Sequence, residues 1–159
     1  MSRVRNQVYI IDAASWIACH EERYPPDVFP GIWDRIRDAA AEEMIKTPRQ
    51  ALKEVGDGSK GVSAWIRAIQ PSIVLQETPS IVDKMNEVIL RFPTLTRGVE
   101  ESADPWLVAH AMALSDAVVV TEEVRSMGGR PRIPNVCAAF DVKSTNLLTM
   151  FRRLSFKLK

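Results

Sequence analysis

The sequence has little from which a zinc site, a disulfide framework or a membrane anchor could be built. Two cysteines, Cys19 and Cys137, lie far apart in 159 residues, without CxxC spacing or a histidine cluster, so two reduced thiols are expected. The two histidines, His20 and His110, are equally isolated; each is expected on a helix surface or partly buried, with no ligand role. No apolar run is long enough for a membrane span. The short basic opening Met1 to Asn6 leads directly into a strand-like run with no signal-peptide pattern, so a soluble, cytoplasmic protein is expected. An excess of one charge is also lacking: 21 basic and 20 acidic residues leave a net charge of +1, so any nucleic-acid surface would have to be a local patch.

The apolar content, 46% of the chain, is enough for one sizeable core, and one domain over residues 1–159 is expected. Val8 to Ile11 is a compact apolar run ending in Asp12, with a helix able to begin over Ser15 to Glu21. The prolines of Tyr24-Pro25-Pro26-Asp27-Val28-Phe29-Pro30 block regular helix while its aromatics favour burial, which predicts an ordered loop. Helical spacing of Ile32, Trp33, Ile36 and Ala40 precedes a short strand at Met44 to Thr47. Thr47-Pro48-Arg49-Gln50 reads as a cap, with a helix to about Val55, after which Gly56, Gly58 and Gly61 loosen the chain. Further helices are predicted around Trp65 to Ile69, from Ser80 to Phe92, and from Asp104-Pro105 through Ala113. Ala117 to Val120 is a buried-strand candidate. Val136 to Phe140 then reads as helix, Val142 and Lys143 as an edge strand, and Asn146 as the cap of a helix to about Leu154.

Strands alternating with helices predict an α/β domain with a mainly parallel sheet, whose ligands gather beyond the carboxyl ends of the strands. Four acids fall on that edge: Asp12 and Glu123 directly after strands, Glu54 and Asp104 on helices that begin there. Each has an ordinary explanation alone: Asp12 as a loop starter, Glu54 as a surface partner, Asp104 as a helix cap, Glu123 as a solvated turn residue. Together they point to a shared site, because crowded carboxylates stay ionised most easily beside a hard divalent cation such as magnesium or manganese. Such an ion binds phosphate oxygens and activates water, so nuclease chemistry would need no protein nucleophile.

The segments VYIIDAASWI, TPRQALKEV, SADPWLVAHAMA and AVVVTEE resemble the PIN-domain family of metal-dependent ribonucleases, which includes the toxin halves of bacterial VapBC-type toxin–antitoxin pairs. The loop YPPDVFPGIWD and the segments RIPNVC and STNLLTMFRRL resemble a less-characterised subgroup, and the resemblance spans about residues 8–156. It implies a three-layer α/β/α PIN-like domain with a central, mainly parallel sheet of four or five strands. It implies a Mg2+- or Mn2+-dependent endoribonuclease acting as a type II toxin, with Asp12, Glu54, Asp104 and Glu123 as both catalytic and metal-holding acids. It also implies an RNA substrate, a cognate antitoxin that covers the pocket or inserts a basic side chain into it, and a homodimer. Two departures stand out. Glu123 replaces the aspartate common in the wider family, and Ala13 and Ala14 replace the hydroxyl residues that usually follow the first aspartate, leaving Ser15 nearby. Asn135 stands where the subgroup often has an aspartate and is not counted as a ligand.

RNA contact would need cations around the acids, for which Arg49, Lys53, Arg125, Arg130 and Arg132 are the candidates. Arg152, Arg153, Lys157 and Lys159 form a basic tail that reads as a solvated helix end. Trp16, Trp33, Trp65 and Trp106 fall in helical patterns and are expected mostly in core packing rather than base stacking. A second reading, motivated by Ala13 and Ala14, is a PIN-like RNA- or protein-binding module with weak or no catalysis. A third, receiver-like reading uses Asp12, Thr121 and Lys143 but lacks a second strand-end aspartate as phosphoacceptor. Haloacid dehalogenase chemistry is excluded by Ala14, where a second aspartate would be needed.

Overall fold

The computed structural model describes residues 7–96 and 102–156. Strand β1 (Val8–Ile11) ends at Asp12, whose carboxylate accepts from the Ser15 amide at 2.7 Å and caps α1 (Ala13–Ala18). The helix widens into a π-helical turn over Cys19–Arg23, then a loop in which the Tyr24 ring lies edge-on to Phe29 and Phe151. The loop is ordered, as its aromatics required. There follow α2 (Pro30–Ala41), β2 (Ile45–Pro48), α3 (Ala51–Gly58), α4 (Lys60–Ile69), β3 (Val74–Leu75) and α5 (Pro79–Arg91). A 3-10 turn at Pro93–Thr96 precedes α6 (Asp104–Ala113), β4 (Ala117–Val120), α7 (Ile133–Ala139), β5 (Lys143–Thr145) and α8 (Leu147–Arg153).

Several local expectations are corrected. Thr47 does not cap a helix: it and Pro48 are buried at the end of β2, and the Thr47 hydroxyl donates to the Ile11 carbonyl across the sheet. Gly56, Gly58 and Gly61 are not a loose linker but lie within α3 and α4, which are separated by Ser59; its hydroxyl caps α4 through the Val62 amide. Strand β3 has no counterpart in the sequence pattern, because two residues are too few to show a period.

The sheet is parallel throughout, in the order β3-β2-β1-β4-β5. The chain builds outward from β1 through β2 to β3, then returns to the other side of β1 for β4 and β5. Connections leaving β1 and β4 therefore diverge, and a crevice opens where they part. Ile11 is level with Val120, so Asp12 and Thr121 leave the sheet side by side, with the Asp12 amide donating to the Val120 carbonyl.

Alternation along β1 and β4 divides the core between two faces. Tyr9, Ile11, Val118 and Val120 pack with Trp16, Ile36, Val55, Ile66 and Met150, whereas Ile10 and Val119 pack with Val88, Leu107, Val108 and Val136. Helices thus cover both sides of the sheet. Trp16, Trp33 and Trp65 form a packed trio with ring centroids 5.0 to 6.4 Å apart, which commits them to the core rather than to bases. Trp106 is half-buried.

Close packing explains Gly61. A Cβ there would lie 2.6 Å from His20 Cε1, in a ring already set edge-on against Trp33 and bonded to Glu21. Gly61→Ala is therefore expected to destabilise the protein by about 1–3 kcal/mol through overpacking, although alanine is the better helix former by about 1 kcal/mol. A urea melt with an unchanged or raised midpoint would show that the His20 ring moves aside freely.

Cys19 and Cys137 are free and buried on opposite faces of the sheet, and burial pushes each thiol up to about 12, leaving both inert. Burial likewise holds His110 neutral by lowering it to about 4. No helix among the described residues is long and apolar enough to cross a membrane.

Candidate functional site

Asp12 is 4% exposed at the head of α1. Burial pushes its carboxyl above the ordinary aspartate range, against opposing hydrogen bonds from Ser15 and Thr121, and the charge of Glu123 adds to the rise. The hydroxyl support absent at Ala13 and Ala14 is thus supplied by Ser15 and Thr121. Ser15 is itself fully buried, and its Oγ accepts from the Glu122 amide at 3.1 Å, tying the exit of β1 to that of β4.

Asp104 opens α6 without capping it. The N-cap position is held by Ala103, and the Asp104 amide donates to Ser102 Oγ at 3.3 Å. Its carboxyl is pushed up to about 7, first by burial and then by the charges of Asp12, Glu123 and Glu54, with Arg130 opposing the rise. Asp104 therefore feels the charge of each of the other three acids. Glu54, on the first turn of α3, reaches the same place because its Oε1 accepts from the Ala103 amide at 2.9 Å, one residue before Asp104. Glu123 is exposed, and its Oε2 accepts from the Ile133 amide at 2.9 Å, closing the loop 124–132 at its base.

The acids come from four separate elements around the crevice between β1 and β4, with Asp104 under the charge of the other three. Their donor set, oxygen without sulfur or imidazole, suits a hard cation. Among the described residues no group of three or more His, Cys, Asp or Glu side chains is disposed to hold an ion as they stand. Asp12, Glu54 and Glu123 each turn one oxygen to a backbone amide.

Asp104 and Glu123 line a cleft of about 400 Å3 together with Arg130, Arg132, Ser126 and Leu95. Asn135 braces the basic loop that forms its wall. Its Oδ1 accepts from the Ser126 and Arg132 amides at 2.9 and 3.1 Å, and its Nδ2 donates to the Ser126 carbonyl at 3.0 Å. Arg49, by contrast, is engaged elsewhere in a two-bond ion pair with Glu77, which holds that glutamate down at about 2. Lys53 and Arg125 are exposed, and Arg125 lines a second cleft with Glu123. Arg152 and Arg153 are exposed at the end of α8, while Lys157 and Lys159 lie outside the described residues. Lys143 begins β5 opposite Val118 and lines a cleft with Asp116 and Asp141 at the other edge of the sheet, so it does not join Asp12 and Thr121 as the receiver-like reading requires.

Sequence reasoning gave Glu122 no role, yet this residue is also structural. It pairs with Arg23 at 2.7 Å and accepts from the Leu147 amide at 2.8 Å, joining the π-helical turn, β4 and α8.

Fold and site together define a doubly wound α/β protein with a carboxylate cluster at its topological switch point. The chain belongs to the family described as a domain of unknown function, DUF4411, which it matches over residues 9–158. It is similar in structure to PAE2754 from Pyrobaculum aerophilum, with a TM-score of 0.53, 16% identity, and coverage of 97% of this chain and 95% of that one. At that identity the likeness shows the fold alone. No curated protein matches the sequence.

Proposed function

We propose that this protein is a divalent-metal-dependent endoribonuclease of PIN-like type, serving as the toxin of a toxin–antitoxin pair. The observation that carries the proposal is the geometry around Asp104: it shares a cleft with Glu123 and follows the Ala103 amide held by Glu54, and burial with the charges of Asp12, Glu123 and Glu54 pushes its carboxyl up. A buried group under such repulsion is poised either to hold a proton or to accept a cation. Asp12, Glu54, Asp104 and Glu123 would hold Mg2+ or Mn2+. Such an ion, when bound, supplies positive charge to the phosphodiester and acidifies water for attack on it. The remaining work falls to the chain itself: Arg130 and Arg132 draw the phosphate to the cleft, Ser15 and Thr121 fix Asp12, and Asn135 fixes the loop that carries the arginines. An antitoxin with a basic side chain would suit the same pocket, and a homodimer is expected on the PIN-like reading.

Titration with magnesium and manganese should show saturable binding, and a single-stranded RNA should be cut internally in a reaction stopped by chelator. Calorimetry without binding, together with intact RNA at full metal, would refute the enzyme.

The second reading, a binding module with weak catalysis, is favoured by the amide bonds that give three of the four acids a structural role. It predicts RNA or protein binding that is indifferent to chelator.

A further inference from the structure

Glu123 has a cleft on either side of it. One, of about 400 Å3, lies toward Asp104, Arg130 and Arg132. The other, of about 490 Å3, lies toward β5 and the head of α8 and is lined by Arg23, Arg125, Ser144, Thr145 and Asn146. Both are open to solvent, and they share the one glutamate. Among the described residues Arg125, Arg130 and Arg132 make no ion pair, whereas Arg23, Arg37, Lys46 and Arg49 each do. The stretch from Val124 to Arg132 contains three arginines and no acid. The unpaired arginines of this stretch thus stand on both sides of Glu123.

Such an arrangement suits a ligand that is itself a chain of anions. A single phosphate could use one cleft, but only an extended polyanion passing over Glu123 would use both. Beside the Arg23–Glu122 ion pair, the second cleft offers the Arg125 guanidinium, the hydroxyls of Ser144 and Thr145 and the Asn146 side chain. These are partners for phosphate oxygens and ribose hydroxyls, and no aromatic ring lines either cleft for a base to stack on. We infer that the cleft formed by Arg125, Ser144, Thr145 and Asn146 is a second phosphate-backbone subsite, so that single-stranded RNA lies across Glu123 with its sugar-phosphate chain gripped on both sides of the bond to be cut. The inference rests on the nuclease reading and extends it: the substrate is read through its backbone, with little dependence on base identity, and cleavage is internal because both sides are held.

The test measures binding separately from cleavage. Fluorescence anisotropy with a labelled oligouridylate of about 12 nucleotides, with chelator to prevent cutting, should give a log K that falls linearly with log salt. Arg125→Ala should weaken binding about fivefold and lower that slope by about 0.7, the value for one lost phosphate contact on a single strand, while Arg125→Lys keeps the slope. Arg130→Ala should lower it equally, and the double variant about twice as much. Oligomers with one uncharged methylphosphonate linkage then locate the subsite: Arg125→Ala should abolish the effect of neutralising a phosphate on one side of the cut, and Arg130→Ala the effect on the other. If Arg125→Ala matches the unaltered protein in affinity and slope while metal-dependent cleavage persists, the second subsite is refuted and the nuclease stands. If both variants lose slope as expected but no metal ever yields cleavage, the backbone groove stands and the nuclease is refuted.

Discussion

Asp104→Asn is expected to make the metal-free protein more stable at about pH 8 and to abolish metal-dependent cleavage in the same molecule, a loss of more than about a hundredfold. The first half follows from the direction of the shift. Asp104 ordinarily titrates at 3.8 and is raised to about 7 in the folded protein, so between those values the folded state binds more protons than the unfolded one. Stability therefore falls as pH rises through that window, and the whole penalty is present above it. Asparagine cannot ionise, so it removes the penalty at alkaline pH and changes little near about pH 3, where the carboxyl is protonated in the folded state and largely so in the unfolded one. Each kcal/mol recovered would raise the melting temperature by about 2–4 °C in a chain of this size. Metal should reverse the ranking by stabilising the unaltered protein and leaving the variant unmoved. Thermal melts across pH, with and without manganese, give all four comparisons; equal melting of the two proteins at alkaline pH in chelator would show that the carboxylates do not press on Asp104.

Asp12→Asn is the companion result, because this side chain has two jobs that asparagine separates. As a helix cap it accepts from the Ser15 amide, and asparagine caps a helix about as well, so α1 should be preserved and, because burial raises this carboxyl too, the melting temperature should not fall at alkaline pH in chelator. As a cation-holding acid it cannot be replaced by a neutral amide, so cleavage should fall by more than about a hundredfold. Asp12→Ala would lose both roles and cost about 1 kcal/mol of stability in addition. Cleavage by Asp12→Asn at a rate near that of the unaltered protein would leave Asp12 as a cap and nothing more.

Much of this architecture is written locally. Val8 to Ile11 and Ala117 to Val120 are continuously apolar because they are central parallel strands buried on both faces, and that signal survives in a single sequence. The cap at Asn146 was legible for the same reason, since its side chain accepts from the Thr149 amide three residues on. Thr47-Pro48 misled because threonine and proline at a helix start look the same as threonine and proline at a strand end. The hydroxyl is committed to Ile11, a residue far away in sequence. The glycines of α3 and α4 read as breakers because sequence does not show that Ile17 and His20 lie close against the Gly58 and Gly61 positions.

The same division holds at the site. The residue order alone determined that acids would stand after β1 and β4 and on the helices bearing Glu54 and Asp104, since strand ends and helix starts are set by neighbours a few positions apart. Only the tertiary structure decided that the strand order reverses between β1 and β4, that Arg49 is spent on Glu77 while Arg130 faces Asp104, and that Ser15 and Thr121 replace the hydroxyls missing at positions 13 and 14. Apart from the Asp12–Ser15 contact, those are contacts between residues tens of positions apart. Their partners are chosen by which surfaces the packed helices and sheet bring together, a choice that no local run of side chains encodes.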